Sequence, residues 1–213
     1  MTGRTIDEIQ VAAEPGAWRA AGFDVARDVC EVGSVRLRLL GEGPSRGIVS
    51  WSVRGPGSLE LDGLDTTASQ REPASGATHP NGVVAIDHVV ILSPKLDRTV
   101  AILRAAGFDF RRLREGPTPG GSTRQAFFRL GEVIVEVVQA PAGAKVASDP
   151  HGPARLWGIS FLVDNLDETA AVLGDLLSEP RAAVQPGRSI ATLGRAARLG
   201  PAVALMTPGP GAI

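Results

Sequence analysis

Apolar and polar positions between residues 84 and 140 alternate in two rhythms, a strand period broken once by a helix period. The run AIDHVVILS from Ala85 is rich in β-branched residues and long enough for a strand. Ser93-Pro94 then suits a helix N-cap followed by the first helical position, with Asp97 near the positive end of the helix dipole. Leu96, Val100 and Leu103 share one helix face, and Gly107 stands where a left-handed C-terminal cap is expected. FDFRRLR, the turn GPTPGGS, RQAFFRL and VIVEVVQA supply three further strands, so the unit reads β-α-β-β-β.

The same rhythm returns from Arg155 to Pro208. LWGISFLV is a strand, and Leu166, Ala170 and Leu173 repeat the helix face at an offset of 70 residues. A weak strand near Arg181 to Val184, then SIATLG and AVALMTP, complete it. Pro141 to Ala154, rich in Ala, Gly and Pro, is a connector. A third copy lies at the start of the chain. RAAGFD occurs at Arg19 to Asp24 and again at Arg104 to Asp109, each time after a strand-like run opening with Ile-Asp, IDEIQVAA from Ile6 and IDHVVILS from Ile86. GSVRLRLL from Gly33 then parallels GEVIVEVV from Gly131, and GIVSWSVRG parallels LWGISFLV. Beyond it, Asp65 to Asn81 is small, polar and Pro/Gly-containing and reads as a linker. The division expected is a degenerate half module over 1–64, a linker over 65–82, and a domain over 83–213 made of modules 83–140 and 155–208.

Composition narrows the function without naming it. A chain of 213 residues, 43% hydrophobic, can bury a proper core. The net charge of -1, with dispersed basic residues, leaves no footprint for a nucleic acid. Cys30 is the only cysteine, which excludes an internal disulfide and a Cys-rich zinc site and fits a reducing cytoplasm. MTGRTIDEIQ has no apolar signal region and no stretch is long enough to span a membrane, so no membrane partner is expected.

The motifs IDHVV, LDRTVAIL followed by GFDF, VIVEVV, ISFLVDNLDETAAVL and GPAVALMTP resemble the vicinal oxygen chelate superfamily, that of glyoxalases, bleomycin-resistance proteins and extradiol dioxygenases. The resemblance spans Val84 to Pro208, and Thr5 to Val53 more weakly. It implies an α+β fold in which paired βαβββ modules curl a mixed sheet around a cavity. It also implies a divalent metal in many members, held by the first and last strands of each module. Position by position, His88 matches the first-strand ligand and Glu136 the last-strand ligand of the first module. The second-module positions fall on Gly158 and on Ala204, or Leu205 if the register slips, and none of these has a coordinating side chain. A reactive zinc, iron or manganese centre needs about three fixed protein ligands, so His88 and Glu136 are an incomplete metal pair. His151 starts roughly 23 Å from Gly158 along an extended chain, and His79 lies in the linker.

In the first copy Glu8 stands opposite His88 and Arg38 opposite Glu136, an acid-base pair able to satisfy itself. His88 and Glu136 have the same bland alternative, a hydrogen-bonded pair between neighbouring strands. Their functional reading is catalytic, as metal ligands or as a general base with its orienting carboxylate. Counting by twos places Ile86, Val90 and Leu92 with His88, Ile134 and Val138 with Glu136, Ser160 and Leu162 with Gly158, and Met206 with Ala204. Val90, Ile134, Ser160, Leu162 and Met206 would then line a mostly apolar pocket for a small organic ligand, or a filled core. Two function classes follow: a metal-free protein binding a small molecule between the modules, and a metal-dependent lyase, isomerase or dioxygenase using His88 and Glu136. The partial first module needs cover from the main domain or from a second copy in a homodimer.

Overall fold

The structure, a computed structural model, describes residues 3–118 and 121–209; the tip of the GPTPGGS turn, Pro119 and Gly120, lies outside them. The fold is α+β and holds two mixed sheets. The first comprises β1 (Thr5–Ala12), β2 (Val29–Val32), β3 (Val35–Leu39), β4 (Gly47–Arg54) and β5 (Thr66–Ala68), with the short helix α1 (Pro15–Ala20) after β1. Its order is β2-β3-β1-β4-β5.

The second sheet begins with β6 (Val83–Ser93), helix α2 (Leu96–Ala105), β7 (Asp109–Thr118), β8 (Gly121–Leu130) and β9 (Val133–Gln139). It continues with β10 (Arg155–Val163), helix α3 (Leu166–Leu173), β11 (Arg181–Ala182), β12 (Ser189–Thr192) and β13 (Ala202–Met206). Its eight strands run β11-β12-β13-β10-β6-β9-β8-β7. Each module thus places its first strand parallel to its last, β6 with β9 and β10 with β13, and the two first strands meet antiparallel at the centre. The first sheet repeats the central part of this plan, with β1 parallel to β3, antiparallel to β4, and β4 parallel to β5.

Repeated sequence produces repeated local structure. In RAAGFD, Gly22 (φ 74°) and Gly107 (φ 86°) follow the helix C-caps Ala21 and Ala106, a conformation that glycine adopts without a Cβ clash. Phe23 and Phe108 then turn into the core. Two expectations need correcting. Helix α2 starts at Leu96 and Ser93 is not its N-cap: the Ser93 hydroxyl accepts the Lys95 N–H (3.1 Å) and bonds Thr99, while the Gln139 side chain accepts the Leu96 N–H (3.0 Å). The stretch read as linker contributes β5, and its end is anchored by buried His79 and Asn81, because polar residues that look like a loop find backbone partners here.

Both sheets bury their apolar faces in one continuous core. Trp18 meets Phe161 edge-on at 6.2 Å and donates its indole N–H to the Leu199 carbonyl (3.2 Å), so α1 is riveted to the second sheet. Phe161 also lies 5.3 Å from Phe23. Full burial of one such phenylalanine is worth about 2–3 kcal/mol. Arg4 adds a polar tie, donating to the carbonyls of Ser58 (2.7 Å) and Ala106 (2.8 Å). Among the described residues no helix is long and apolar enough to cross a membrane. The more polar face of each sheet turns away from the shared core.

Candidate functional site

The site is set by an irregularity in the ladder between β6 and β10. His88 stands opposite Ser160 and Ile86 opposite Phe161, leaving Asp87 with no partner. An extra residue of this kind is a β-bulge, which re-aims side chains. Ile86 is buried, with Val89 and Ile91, while Asp87, His88, Val90 and Leu92 are half-buried on the open face. Counting by twos placed Ile86 beside His88; the bulge breaks that alternation and moves Ile86 into the core. On β9 the alternation is regular, with Val133, Val135 and Val137 buried and Ile134, Glu136 and Val138 on the open side.

His88 is gripped from both ends. Its Nδ1 lies 2.6 Å from Asp87 Oδ2, and its Nε2 lies 3.5 Å from Glu136 Oε2. The second distance is too long for a good hydrogen bond. Asp87 Oδ1 in turn accepts from Arg188 Nη2 (2.7 Å). Burial would raise the Asp87 carboxyl, but its bonds to His88 and Arg188 outweigh this and hold it below the usual range. Glu136 goes the other way: burial raises its carboxyl, only partly offset by His88, by the Gln125 amide that donates to it, and by Arg114. Two carboxylates flanking one imidazole thus have opposite protonation tendencies. Two further side-chain oxygens nearby, Ser160 Oγ and Gln125 Oε1, are buried with no hydrogen-bond partner. Ser160, 1% exposed, is directly across the ladder from His88 and so shares its face.

The second module supplies little on its strands. In the first, Val90 pairs with Glu136; in the second, Ser160 pairs with Ala204 and Gly158 with Ala202. The Glu136 position therefore falls on Ala204. A Cβ on Gly158 would come within 2.9 Å of the Ala202 carbonyl oxygen, so the backbone closes the place where a second histidine would stand. Of the expected pocket residues, Ser160 and Met206 are buried and Val90, Ile134 and Leu162 half-buried.

These donors do not fit a catalytic metal. Only Nε2 of His88 and the Glu136 carboxylate face each other, and Asp87 occupies the other ring nitrogen, from which no shared ion can be reached. Among the described residues no group of three or more His, Cys, Asp or Glu side chains is arranged to hold a metal ion. The other histidines bring no help. His79 accepts the Asp24 N–H at Nδ1 (3.0 Å) and lies 3.1 Å from the Glu31 carbonyl through Nε2, so both nitrogens are used structurally. His151 lies in the connector, beside a surface hollow lined by Glu60, Asp62 and Ile102.

The corresponding place in the first sheet is saturated. The bulge recurs there at Asp7, which is 1% exposed and held by Arg36 (2.6 Å), Arg54 (2.7 Å) and Ser69 (2.7 Å). Glu8 is held by Arg38 (3.1 Å) and Arg71 (3.0 Å). Burial works against both carboxyls, yet these partners keep them below their ordinary range. A polar cavity of about 200 Å³ remains beside them, lined in part by Ser50, Ser52 and Thr67.

Sequence reasoning missed Asp87, Arg188 and Gln125. The matching Ile-Asp openings, in which Asp7 and Asp87 are equivalent, were the available signal for the first; nothing local marked the other two.

No protein-family model and no curated protein sequence matches the chain. Solved structures do. A variant of 4-hydroxymandelate synthase from Streptomyces coelicolor aligns over 95% of this chain and 92% of its own, at 13% identity and a TM-score of 0.65. A fusion of a xylose isomerase-like TIM barrel with 4-hydroxyphenylpyruvate dioxygenase aligns over 98% of this chain and 50% of its own, at 12% identity and a TM-score of 0.64. Methylmalonyl-CoA epimerase from Mycobacterium tuberculosis aligns over 61% of this chain and 91% of its own, at 16% identity and a TM-score of 0.48. At the two higher scores both sheets take part in the match, and at such identities what is shared is architecture. The chain shares its fold with these two structures over nearly its whole length, with a shortened copy of the same sheet plan ahead of its paired modules.

Proposed function

We propose that the protein binds a small organic molecule on the open face of the eight-stranded sheet and that His88, with Glu136, moves a proton on it without a metal ion. The observation that carries this reading is the convergence of incompletely satisfied polar groups on that face: the long His88–Glu136 contact of 3.5 Å, and the partnerless oxygens of Ser160 and Gln125. Buried polar groups in a finished structural core are paired, so an unpaired set on a half-buried sheet face has capacity for a ligand. The apolar neighbours Val90, Leu92, Ile134, Val138 and Leu162 supply contact area, and the polar groups fix orientation.

An Asp87 carboxylate can only accept, so the Nδ1–H of His88 donates a hydrogen bond to it and keeps its proton. Nε2 is then the nitrogen left to act on a ligand, either taking a proton through its lone pair or, once protonated, returning one. Glu136, with its raised carboxyl, is suited to hold the proton between the two events.

The test starts from protein purified without chelator or histidine tag. Elemental analysis and a thermal-shift screen of small organic acids, amides and carbonyl compounds are run on wild type, His88→Ala, Ser160→Val and Glu8→Gln. The reading expects substoichiometric metal, and ligands whose stabilisation disappears in His88→Ala and Ser160→Val but persists in Glu8→Gln. Stoichiometric metal that is lost in His88→Ala would overturn it in favour of a metal-dependent enzyme.

A further inference from the structure

Besides Ser160 on β10, the second module reaches the site through Arg188, on the turn between β11 and β12. This arginine is 10% exposed and uses all three of its nitrogens: Nε donates to the Thr207 carbonyl (2.7 Å), Nη1 to Gln185 Oε1 (3.0 Å) and Nη2 to Asp87 Oδ1 (2.7 Å). Its fork is thus fixed before any ligand arrives, unlike the exposed arginines of the β7–β8 hairpin, which pair across solvent.

The geometry points to Asp87 and Arg188 as positioning residues that lock neutral His88 in the tautomer with its proton on Nδ1, leaving Nε2 as the lone-pair nitrogen on the open face. Three observations carry this. The bulge places Asp87 on the same side as the ring that follows it in sequence, which regular alternation forbids. Asp87 Oδ2 and Oδ1 divide their work, one facing the imidazole at 2.6 Å and the other the guanidinium at 2.7 Å, so the arginine fixes the carboxylate's rotation. The first sheet repeats the device without a histidine: Asp7 stands on the equivalent bulge and is fixed by Arg54, again from beyond its own first strand. The groups facing His88 are Asp87 and Glu136, with Arg188 and Arg114 acting behind them.

This inference gives the proposed proton-transfer site its directionality and rests on that reading for its purpose. Its test needs no ligand, so the two can fail separately. Imidazole ¹⁵N spectra of uniformly labelled full-length protein, at a pH where the rings are neutral, report which nitrogen of each histidine bears the proton. His88→Gln assigns the signal by its loss. His79 is the internal reference, since its bonds demand the opposite tautomer, with the proton on Nε2. Wild-type His88 is expected with its proton on Nδ1. In Asp87→Ala that form falls from dominant to minor and the pattern moves to that of His79. Arg188→Met gives a mixture of both forms, and Arg188→Lys restores the Nδ1 form in large part. An unchanged His79 signal reports an intact fold; should Asp87→Ala not fold, Asp87→Asn preserves volume and is expected to weaken the Nδ1 form in the same direction. A wild-type His88 protonated on Nε2, or Asp87 and Arg188 variants that leave its tautomer untouched, would overturn the inference. A shift in the Asp87 variants alone removes Arg188 from it.

Discussion

The two sheets are the same plan carried to different ends. In the first, the residues at the centre of the open face are Asp7 and Glu8, and arginines from three flanking segments saturate them. In the second, the same positions hold Asp87 and His88, and only Asp87 is fully engaged. Pairing makes the first face self-contained: each of its two carboxylates already has two arginine partners. Incomplete pairing distinguishes the second, because a group that still lacks a partner can gain one from a ligand, as proposed above.

The comparison can be broken most forcefully at its two centres. His88→Ala should reduce proton transfer to a bound ligand by about 10²- to 10⁴-fold. Deuterium exchange from heavy water into a ligand found by the screen measures this, and the unfolding midpoint should scarcely move. Asp7→Ala should do the reverse, destabilising the fold by about 3–5 kcal/mol because Arg36 and Arg54 lose a buried counter-ion. Urea unfolding measures that cost, and a small value would mean that the first face is not saturated after all.

Acid provides a graded test. Asp7, Glu8 and Asp87 have depressed carboxyl values in the fold, so their stabilisation is complete above the unfolded carboxylate range, about pH 4, and is lost as pH falls through the lower folded values. Trp51, which lines the cavity beside Asp7, should report loosening of the first sheet in that acid window, and Asp7→Asn should flatten the transition. Glu136 has the opposite sign. Its raised carboxyl makes ionisation above the unfolded value a penalty, relieved as pH falls. Glu136→Gln should therefore stabilise the protein at neutral pH, the smallest effect of the four, measurable as a rise in Tm.

The sequence made the module plan legible because the information is local and repeated. Strand patterns, the helix faces of α2 and α3, and RAAGFD with its left-handed glycine each need only a few consecutive residues. His88 and Glu136 could be picked out because their motifs are local too. Asp87 could not, since counting by twos assigns it to the wrong side, and a bulge is a property of two strands pairing out of step, not of one strand's composition. Arg188 was harder still: its partner is 101 residues away and its surroundings, AAVQPGRS, read only as a turn. The short strand within the stretch read as linker was hidden for a related reason, since β5 pairs along the edge of β4 and its pattern shows only there.

The unpaired residue in β6 has a consequence for how such a site can change. Elsewhere in a ladder, adding or removing one position turns every later side chain to the opposite face and exchanges core for solvent. At position 87 the surplus already exists, and the pairs that flank it, Ile86 with Phe161 and His88 with Ser160, are both formed. A substitution there changes the partner of the imidazole without shifting the register of the hydrophobic layer. The protein thus holds one coordinate at which the surroundings of the His88 ring can be altered separately from the sheet that carries it.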